Sequence, residues 1–108
     1  MQINIKSTKI ELTPEIKDYI QKKMDMLEKY LGEIKIINAH FEAEKTTRHH
    51  QKGEIYRAEA NLEIPGKLLR VEKTEKDLFK AIDKVKDHLA EIIKKRKERV
   101  IDNKRRAS

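Results

Sequence analysis

The 108-residue chain has no cysteine, three glycines and two prolines, and aromatic residues make up only 5% of it. Without cysteine, disulfides, thiol catalysis and thiolate zinc sites are excluded. Three glycines cannot build a phosphate-cradling loop, and neither a P-loop nor a G-x-S-x-G motif occurs. No apolar run approaches the roughly 20 residues of a membrane span, and the N-terminus does not read as a signal peptide. We therefore expect a cytoplasmic protein that is not an enzyme and needs no cofactor.

Charged residues, in contrast, make up 42% of the chain, and 26 Lys and Arg against 19 Asp and Glu give a formal net charge of +7. Such a balance favours nucleic acid, an anionic membrane or an acidic protein as partner. The excess is greatest near the end, where residues 94–106 hold eight Lys or Arg and two carboxylates.

Four segments alternate apolar and polar residues, which is typical of strands with one buried face. They cover residues 2–7, 34–45, 54–64 and 67–73, and Pro65-Gly66 makes the tight turn between the last two. The predicted inward-facing side chains are Ile3, Ile5, Ile37, Ala39, Phe41, Ala43, Tyr56, Ala58, Ala60, Leu62, Ile64, Leu69 and Val71.

Two further segments have helical spacing. The first spans residues 12–32, with Thr13 as N-cap, Pro14 as the first helical residue and Gly32 as the stop. Thr74 is predicted to open the second, with Asp77 in a capping-box-like position. The predicted buried stripes are Ile16, Tyr19, Ile20, Lys23 or Met24, and Leu27 in the first segment, then Leu78, Ile82, Val85, Leu89, Ile92 and Ile93 in the second.

The order β-α-β-β-β-α predicts an α+β fold in which both helices cover one face of a four-stranded sheet. Residues 1–98 form this domain, and residues 99–108 are expected to be a basic, flexible tail because the apolar pattern lapses. The outer sheet face is predicted to be acidic on balance, with Arg57 and Arg70 opposing Glu42, Glu44, Glu59, Glu63 and Glu72.

The helices and tail carry the surplus cations, so we predict a polyanion-binding surface there. Lys76, Lys80 and Lys84 recur every four residues and form one ridge. Because few aromatic residues lie outside the core stripes, we expect backbone recognition rather than base stacking. The candidate site residues are Lys22, Lys23, Lys29, Lys76, Lys80, Lys84, Lys94, Lys95, Arg96, Lys97 and Arg99.

His49 and His50 are the only adjacent histidines, in a polar loop with Arg48 and Lys52. A histidine pair without a suitably spaced carboxylate is a poor metal site, and a surface loop is the simpler interpretation. No metal site is therefore predicted.

Two stretches, TPEIKDYIQKKMDMLEKY and GKLLRVEKTEKDLFKAIDKVKDHL, resemble the ribosome hibernation-promoting factor and ribosome-associated inhibitor family, also called protein Y. The second is more specific, with an acidic residue before Leu78, an aromatic, then Ala81-Ile82-Asp83 and Leu89. The resemblance covers nearly the whole chain and fits a short member or the N-terminal domain of a long one. Phe79 stands where members usually have Tyr, and His88 and Glu91 stand where basic residues are common.

The resemblance implies a domain that binds rRNA of the small ribosomal subunit in the mRNA and tRNA channel and blocks translation under stress or in stationary phase. The candidate cations would then be rRNA contacts, competing with mRNA and tRNA. Two other classes stay open. A binder of free double-stranded RNA shares the α-β-β-β-α order, and an adaptor for an acidic protein needs an exposed apolar patch.

Overall fold

The computed structural model describes residues 1–46 and 53–107, with side chains through Arg99, so His49 and His50 lie outside the described residues. The strands are β1 (Asn4–Thr8), β2 (Asn38–Thr46), β3 (Ile55–Ile64) and β4 (Lys67–Glu75). The helices are α1 (Pro14–Asp25), α2 (Glu28–Leu31) and α3 (Leu78–Ala107). The sheet order is β1-β2-β3-β4, with β1 parallel to β2 and the other pairs antiparallel. The predicted α+β fold is confirmed.

The core lies between one sheet face and the helices. Small side chains line the middle of that face, where Ala43 pairs with Ala58 and Phe41 with Ala60, all fully or almost fully buried. Since alanine projects only a methyl group, the helices can approach the sheet closely. α3 packs against β3 and β4, and α1 packs beside it. The largest fully buried side chains are Phe41, Ile20, Met24, Leu27, Leu62, Ile82, Leu89, Ile93 and Val85.

The cap predicted for the first helix is confirmed, because Thr13 Oγ1 accepts a hydrogen bond from the Ile16 N–H at 3.2 Å and Pro14 is the first helical residue. The start predicted for the last helix is wrong. Thr74 lies within β4, and the Asp77 carboxylate instead accepts the Phe79 N–H at 2.9 Å. The strand extends to Glu75, and Asp is as good an N-cap as Thr.

The first helical segment is divided at Met26 and Leu27 into α1 and α2. There the Leu27 N–H donates to the Met24 carbonyl at 3.0 Å, and the Tyr30 N–H donates to the Leu27 carbonyl at 3.0 Å. Such three-residue spacing tightens the backbone relative to an α-helix. As predicted, Gly32 ends the segment, as the C-cap of α2 with a φ of 57°.

Two other expectations differ from the structure. Ile37, predicted to face inward, is 52% exposed, because β2 begins only at Asn38 and Ile37 lies before the regular pleat. The predicted irregular tail at residues 99–108 is helical as far as Ala107, since α3 continues through a stretch rich in helix-favouring Lys and Arg. No helix within residues 1–46 and 53–107 is long and apolar enough to cross a membrane.

The outer sheet face is organised around Arg57, whose side chain is only 16% exposed. Its guanidinium pairs with Glu42, with Glu44 at 2.7 Å, with Glu59 at 2.9 Å and with Glu72 at 3.8 Å. These carboxylates come from all three antiparallel strands, since Glu44 pairs with Arg57 and Glu59 with Glu72 in the ladder. One cation therefore offsets the repulsion among four neighbouring carboxylates.

The same network shifts the pKa values of its members. Burial acts to lower the pKa of the Arg57 guanidinium, but hydrogen bonds to Glu44 and Glu42 and the charges of both raise it above its ordinary value. Burial likewise acts to raise the pKa of Glu59, yet hydrogen bonds from Asn61 and Arg70 and nearby guanidinium charge leave it below its ordinary value. Both groups are therefore held in their charged forms.

We predict that Arg57→Met lowers the free energy of unfolding by about 1.5–3 kcal/mol, because it leaves clustered carboxylates without their shared hydrogen-bonding partner. Arg70→Met is the matched control, since Arg70 is 61% exposed and pairs only with Glu59 in the described residues, at 3.0 Å. Its loss should cost less than about 1 kcal/mol. Urea unfolding measures both values, and equal losses would contradict the central role of Arg57.

The Arg57→Met penalty should also depend on pH. Because the folded pKa of Glu59 is depressed, its contribution is fully present above the unfolded value of about 4.3 and is lost as pH falls through the folded value. The gap in unfolding free energy between wild type and Arg57→Met should therefore narrow on acidification below that unfolded value.

Candidate nucleic-acid interface

The helices form one layer in which α1 and α2 run alongside α3 in the same direction. At one end, the rings of Tyr19 and Phe79 meet edge to face with centroids 4.8 Å apart. Further along, Lys94 Nζ lies 4.5 Å from the Tyr30 ring centroid, and Lys97 Nζ lies next to Gly32. Residues of α1 therefore contact the start of α3, and residues of α2 contact a later part of α3. Because of this parallel alignment, cations of all three helices lie on the outer surface of the layer.

Three of the predicted site cations are paired with carboxylates. Lys23 Nζ lies 3.3 Å from Asp83, Lys84 pairs with Glu75, and Lys95 Nζ lies 3.3 Å from Glu91. The ridge predicted from Lys76, Lys80 and Lys84 is not a continuous helical ridge, because Lys76 precedes α3 and Lys84 is paired with Glu75. Lys76 and Lys80 are nevertheless exposed. The Lys95 pair is exposed on both sides and exchanges readily with solvent, so it reduces the local positive potential without removing Lys95 from reach of a polyanion. Lys23 is only 22% exposed, and its charge is more firmly committed to Asp83.

The other predicted cations form no ion pair with a carboxylate among residues 1–46 and 53–99. Most project fully into solvent, whereas Arg96 and Lys97 are half-buried along α3. The exposed ones are Lys22, Lys29, Lys76, Lys80, Lys94 and Arg99. The structure therefore brings most of the predicted cations onto the helical layer and leaves their charge largely uncompensated.

A network joins α1 to α3 beneath these cations. The Tyr19 hydroxyl donates to Asp83 Oδ1 at 2.6 Å, and Lys23 Nζ shares the same oxygen while lying 5.4 Å from the Tyr19 ring centroid. The hydrogen bond to Asp83, with burial and the nearby carboxylate charge, raises the pKa of Tyr19 to about 12. Lys23 is thus also part of the contact that holds the two helices together.

A second tyrosine has the opposite environment. Lys29 Nζ from α2 lies 4.9 Å from the Tyr30 ring centroid, and Lys94 Nζ from α3 lies 4.5 Å from it. The nearby ammonium of Lys29 is the main cause that lowers the pKa of Tyr30, and the charges of Lys94 and Lys86 lower it further. We call Lys29, Tyr30, Lys86 and Lys94 the Tyr30 cluster.

Two members of this cluster were missed in the sequence. Tyr30 was not a candidate because it reads as one more apolar residue near a helical stripe, and Lys86 was left out of the predicted site set. The signal for their association is long-range, since 64 positions separate Tyr30 from Lys94 in the chain. Only the parallel alignment of the helices brings them together.

The opposite side of the molecule contrasts with the helical layer. On the outer sheet face the carboxylates are already paired with Arg57, Arg70 and, at 3.9 Å, Lys6. An anion approaching this face meets acidic groups whose counter-charges are engaged. An anion approaching the helices meets lysines whose charge is largely free, and this asymmetry is typical of domains that bind a polyanion with one face.

Comparison with known proteins agrees with this class. Residues 3–101 match the family described as sigma 54 modulation protein / S30EA ribosomal protein. Because the match spans nearly the whole sequence, the chain belongs to this family. The family consists of non-enzymatic ribosome hibernation factors, so both the resemblance and the prediction that the chain is not an enzyme are confirmed.

Individual relatives cover most of the chain. The ribosome hibernation promoting factor of Pseudomonas putida is 29% identical over 99 residues, which are 92% of this chain and 89% of the relative. The protein of that name from Klebsiella oxytoca is 29% identical over 100 residues, which are 93% of this chain and 97% of the relative. The crystal structure of the protein Y N-terminal domain of Thermus thermophilus matches with a TM-score of 0.74 and 30% identity, over 88% of this chain and 98% of that domain.

We predict that the three tyrosines ionise in separate steps, in the order set by their neighbours. Tyr30 should ionise first, below the ordinary value of about 10, and Tyr19 should ionise at about 12. Tyr56, hydrogen-bonded to Glu54 at 2.8 Å, has a raised pKa and should also follow Tyr30. Tyrosinate absorbance against pH measures the steps.

Single substitutions assign these steps. Tyr30→Phe should remove the earliest step and Tyr19→Phe the latest. The hydrogen bond to Asp83 makes the folded state hold the Tyr19 proton more tightly than the unfolded state does. The stability that this adds is full below the unfolded pKa near 10 and is lost as pH rises through about 12. Loss of the earliest step in Tyr19→Phe would contradict the contacts described for both rings.

Proposed function

We propose that the chain is a ribosome hibernation factor that binds the small ribosomal subunit through its helical layer and blocks translation. The observation that carries the proposal is the division of charge in a member of this family. Most candidate cations of the helices have no carboxylate partner within residues 1–46 and 53–99, while on the other side the carboxylates of the sheet are paired with Arg57 and Arg70. Such a domain has one preferred face towards RNA.

The binding mode follows from the side chains on that face. Lysine is a flexible point charge suited to phosphate and not to reading base edges. Tyr19 and Phe79 pack on each other, and the Tyr30 ring lies under two ammonium groups. These rings therefore offer little surface for stacking on bases. Affinity would come from neutralising phosphates and releasing their counterions, with shape rather than sequence guiding the fit.

Inhibition on this proposal is competition for space. The domain has a continuous buried core and keeps its shape when bound. Seated in the channel of the small subunit, it occupies the volume that mRNA and tRNA need. It requires no cofactor and no chemical step, and it acts in the cytoplasm, where ribosomes idle under stress or in stationary phase.

We predict that affinity for purified small subunits falls on the order of a hundredfold or more between low and moderate salt if about six phosphates are neutralised. The double variant Lys22→Gln/Lys80→Gln should bind at least about tenfold more weakly, and its log–log salt slope should be shallower by about two. Sedimentation of the protein with subunits over a salt series gives both quantities.

The matched control is Lys6→Gln/Lys67→Gln, which removes the same charge from the sheet face and from the β3–β4 turn. This variant should bind within about twofold of wild type, since long-range attraction between exposed charges is screened within about 10 Å at moderate salt. Equal losses in both variants would mean that net charge, and not the helical face, governs binding. Equally tight binding to a free RNA duplex would favour the alternative of a double-stranded-RNA binder.

Occlusion makes a separate prediction. Saturating message and initiator tRNA should displace the protein from small subunits, and the protein should weaken tRNA binding by the same factor, because coupling between two ligands is reciprocal. Competition binding with labelled tRNA and labelled protein measures the coupling in both directions. Simultaneous binding without mutual displacement would exclude occlusion while leaving ribosome binding intact.

A further inference from the structure

The Tyr30 cluster is a place where positive charge converges from two helices. Lys29 belongs to α2 and Lys94 to α3, yet both ammonium groups lie over the single ring of Tyr30, at 4.9 and 4.5 Å from its centroid. The side chain of Lys86, only 17% exposed, adds a third charge close enough to act on the same phenol.

Carboxylates do not balance this charge. Within residues 1–46 and 53–99, neither Lys29 nor Lys94 pairs with an acidic side chain, whereas neighbouring Lys95 pairs with Glu91 at 3.3 Å. Lys86 is paired with Asp87 at 2.8 Å, on the next position of the helix. The cluster therefore carries at least two uncompensated positive charges.

The aromatic ring offsets only part of the repulsion. A lysine over a tyrosine face gains about 0.5–1 kcal/mol at an exposed site, and like charges held near one another oppose this gain. An anion placed among the ammonium groups would remove the repulsion and add charge-assisted hydrogen bonds. The cluster therefore favours a negative ligand.

We propose that the Tyr30 cluster binds one phosphate group, with Lys29, Lys86 and Lys94 supplying charge and the Tyr30 hydroxyl supplying a hydrogen bond. This inference rests on the proposed function, because it assigns one anchoring point within the RNA-binding face. The phosphate would be a phosphodiester of the RNA backbone, and free phosphate or pyrophosphate is the other source of the same chemistry.

A phosphate fits better than a base or a peptide carboxylate. A base would need a free aromatic face, but ammonium groups lie over the Tyr30 ring. A carboxylate is planar and presents two oxygens, whereas a phosphodiester is tetrahedral and can accept from donors arriving from several directions. The donors here belong to α2 and to two positions of α3 that are eight residues apart, so they are not arranged as the planar fork that matches a carboxylate.

Neighbouring lysines on α3 provide a matched test. Lys94→Gln removes a cluster member, whereas Lys95→Gln removes the same charge from the next residue, which is paired with Glu91. Lys94→Gln should weaken small-subunit binding about tenfold and make the salt slope shallower by about one, while Lys95→Gln, whose charge is already partly offset by Glu91, should weaken it by no more than about threefold. Equal effects of the two substitutions would overturn the proposal.

Tyr30 also reports binding directly. With tyrosine ring carbons labelled in the full chain, NMR should show the Tyr30 resonance shift when an RNA duplex or small subunits are added, and its ionisation should move back towards the ordinary range as the anion neutralises the lysines. Tyr30→Phe should keep the thermal stability of the wild type but weaken subunit binding, and Lys94→Gln should abolish the response of Tyr30.

Inorganic phosphate and pyrophosphate titrations distinguish the sources. If Tyr30 responds strongly to RNA and only weakly to these small anions, the ligand is a phosphodiester of the RNA backbone. If the small anions give a saturable response that is absent in Lys94→Gln, the cluster is a site for free phosphate. No Tyr30 response to RNA, subunits or small anions would overturn the proposal. Absence of subunit binding by the wild type would refute the proposed function instead, and the small-anion titration would still decide the cluster.

Discussion

The close packing of two helices against one face of the sheet is the constraint on which the rest of this structure depends. That packing requires small side chains in the middle of the sheet, and Ala39, Ala43, Ala58 and Ala60 supply them with almost no exposed surface. The apolar faces of the helices and of the sheet are buried in this interface. Polar residues therefore lie on the two remaining surfaces. The carboxylates collect on the outer sheet face and the cations collect on the outer helical surface.

The two surfaces differ in how far their charges are paired. On the proposed function, this difference determines which side faces a polyanion. On the sheet, Arg57 reaches carboxylates from three strands and holds them in a compact network. On the helices, Lys22, Lys29, Lys80 and Lys94 extend into solvent without such partners in the described part of the chain. Ribosomal RNA presents dense phosphate, so on the proposed function the helical side is the one that would face it.

Local sequence rules were sufficient for most of the fold. Alternation placed Ala39, Phe41 and Leu69 in the core, and Thr13 with Pro14 marked the first helix start, because these signals depend on neighbours within a few residues. The errors occurred at element ends, where the strand extends past Thr74 and where Ile37 precedes the pleat.

The sequence placed the predicted site cations on the helical side but could not identify which lysines are paired. Lys84 and Glu75, or Lys23 and Asp83, meet only in the folded chain, and so do Tyr30 and Lys94. Spacing on one helix cannot reveal such contacts.

The central claim is that the helical layer faces ribosomal RNA, and a cryo-electron microscopy structure of the protein on the small subunit tests it most directly. We predict α1, α2 and α3 against the RNA of the mRNA and tRNA channel, with the Arg57 face turned away; a domain bound elsewhere, or with its sheet on the RNA, would contradict this account.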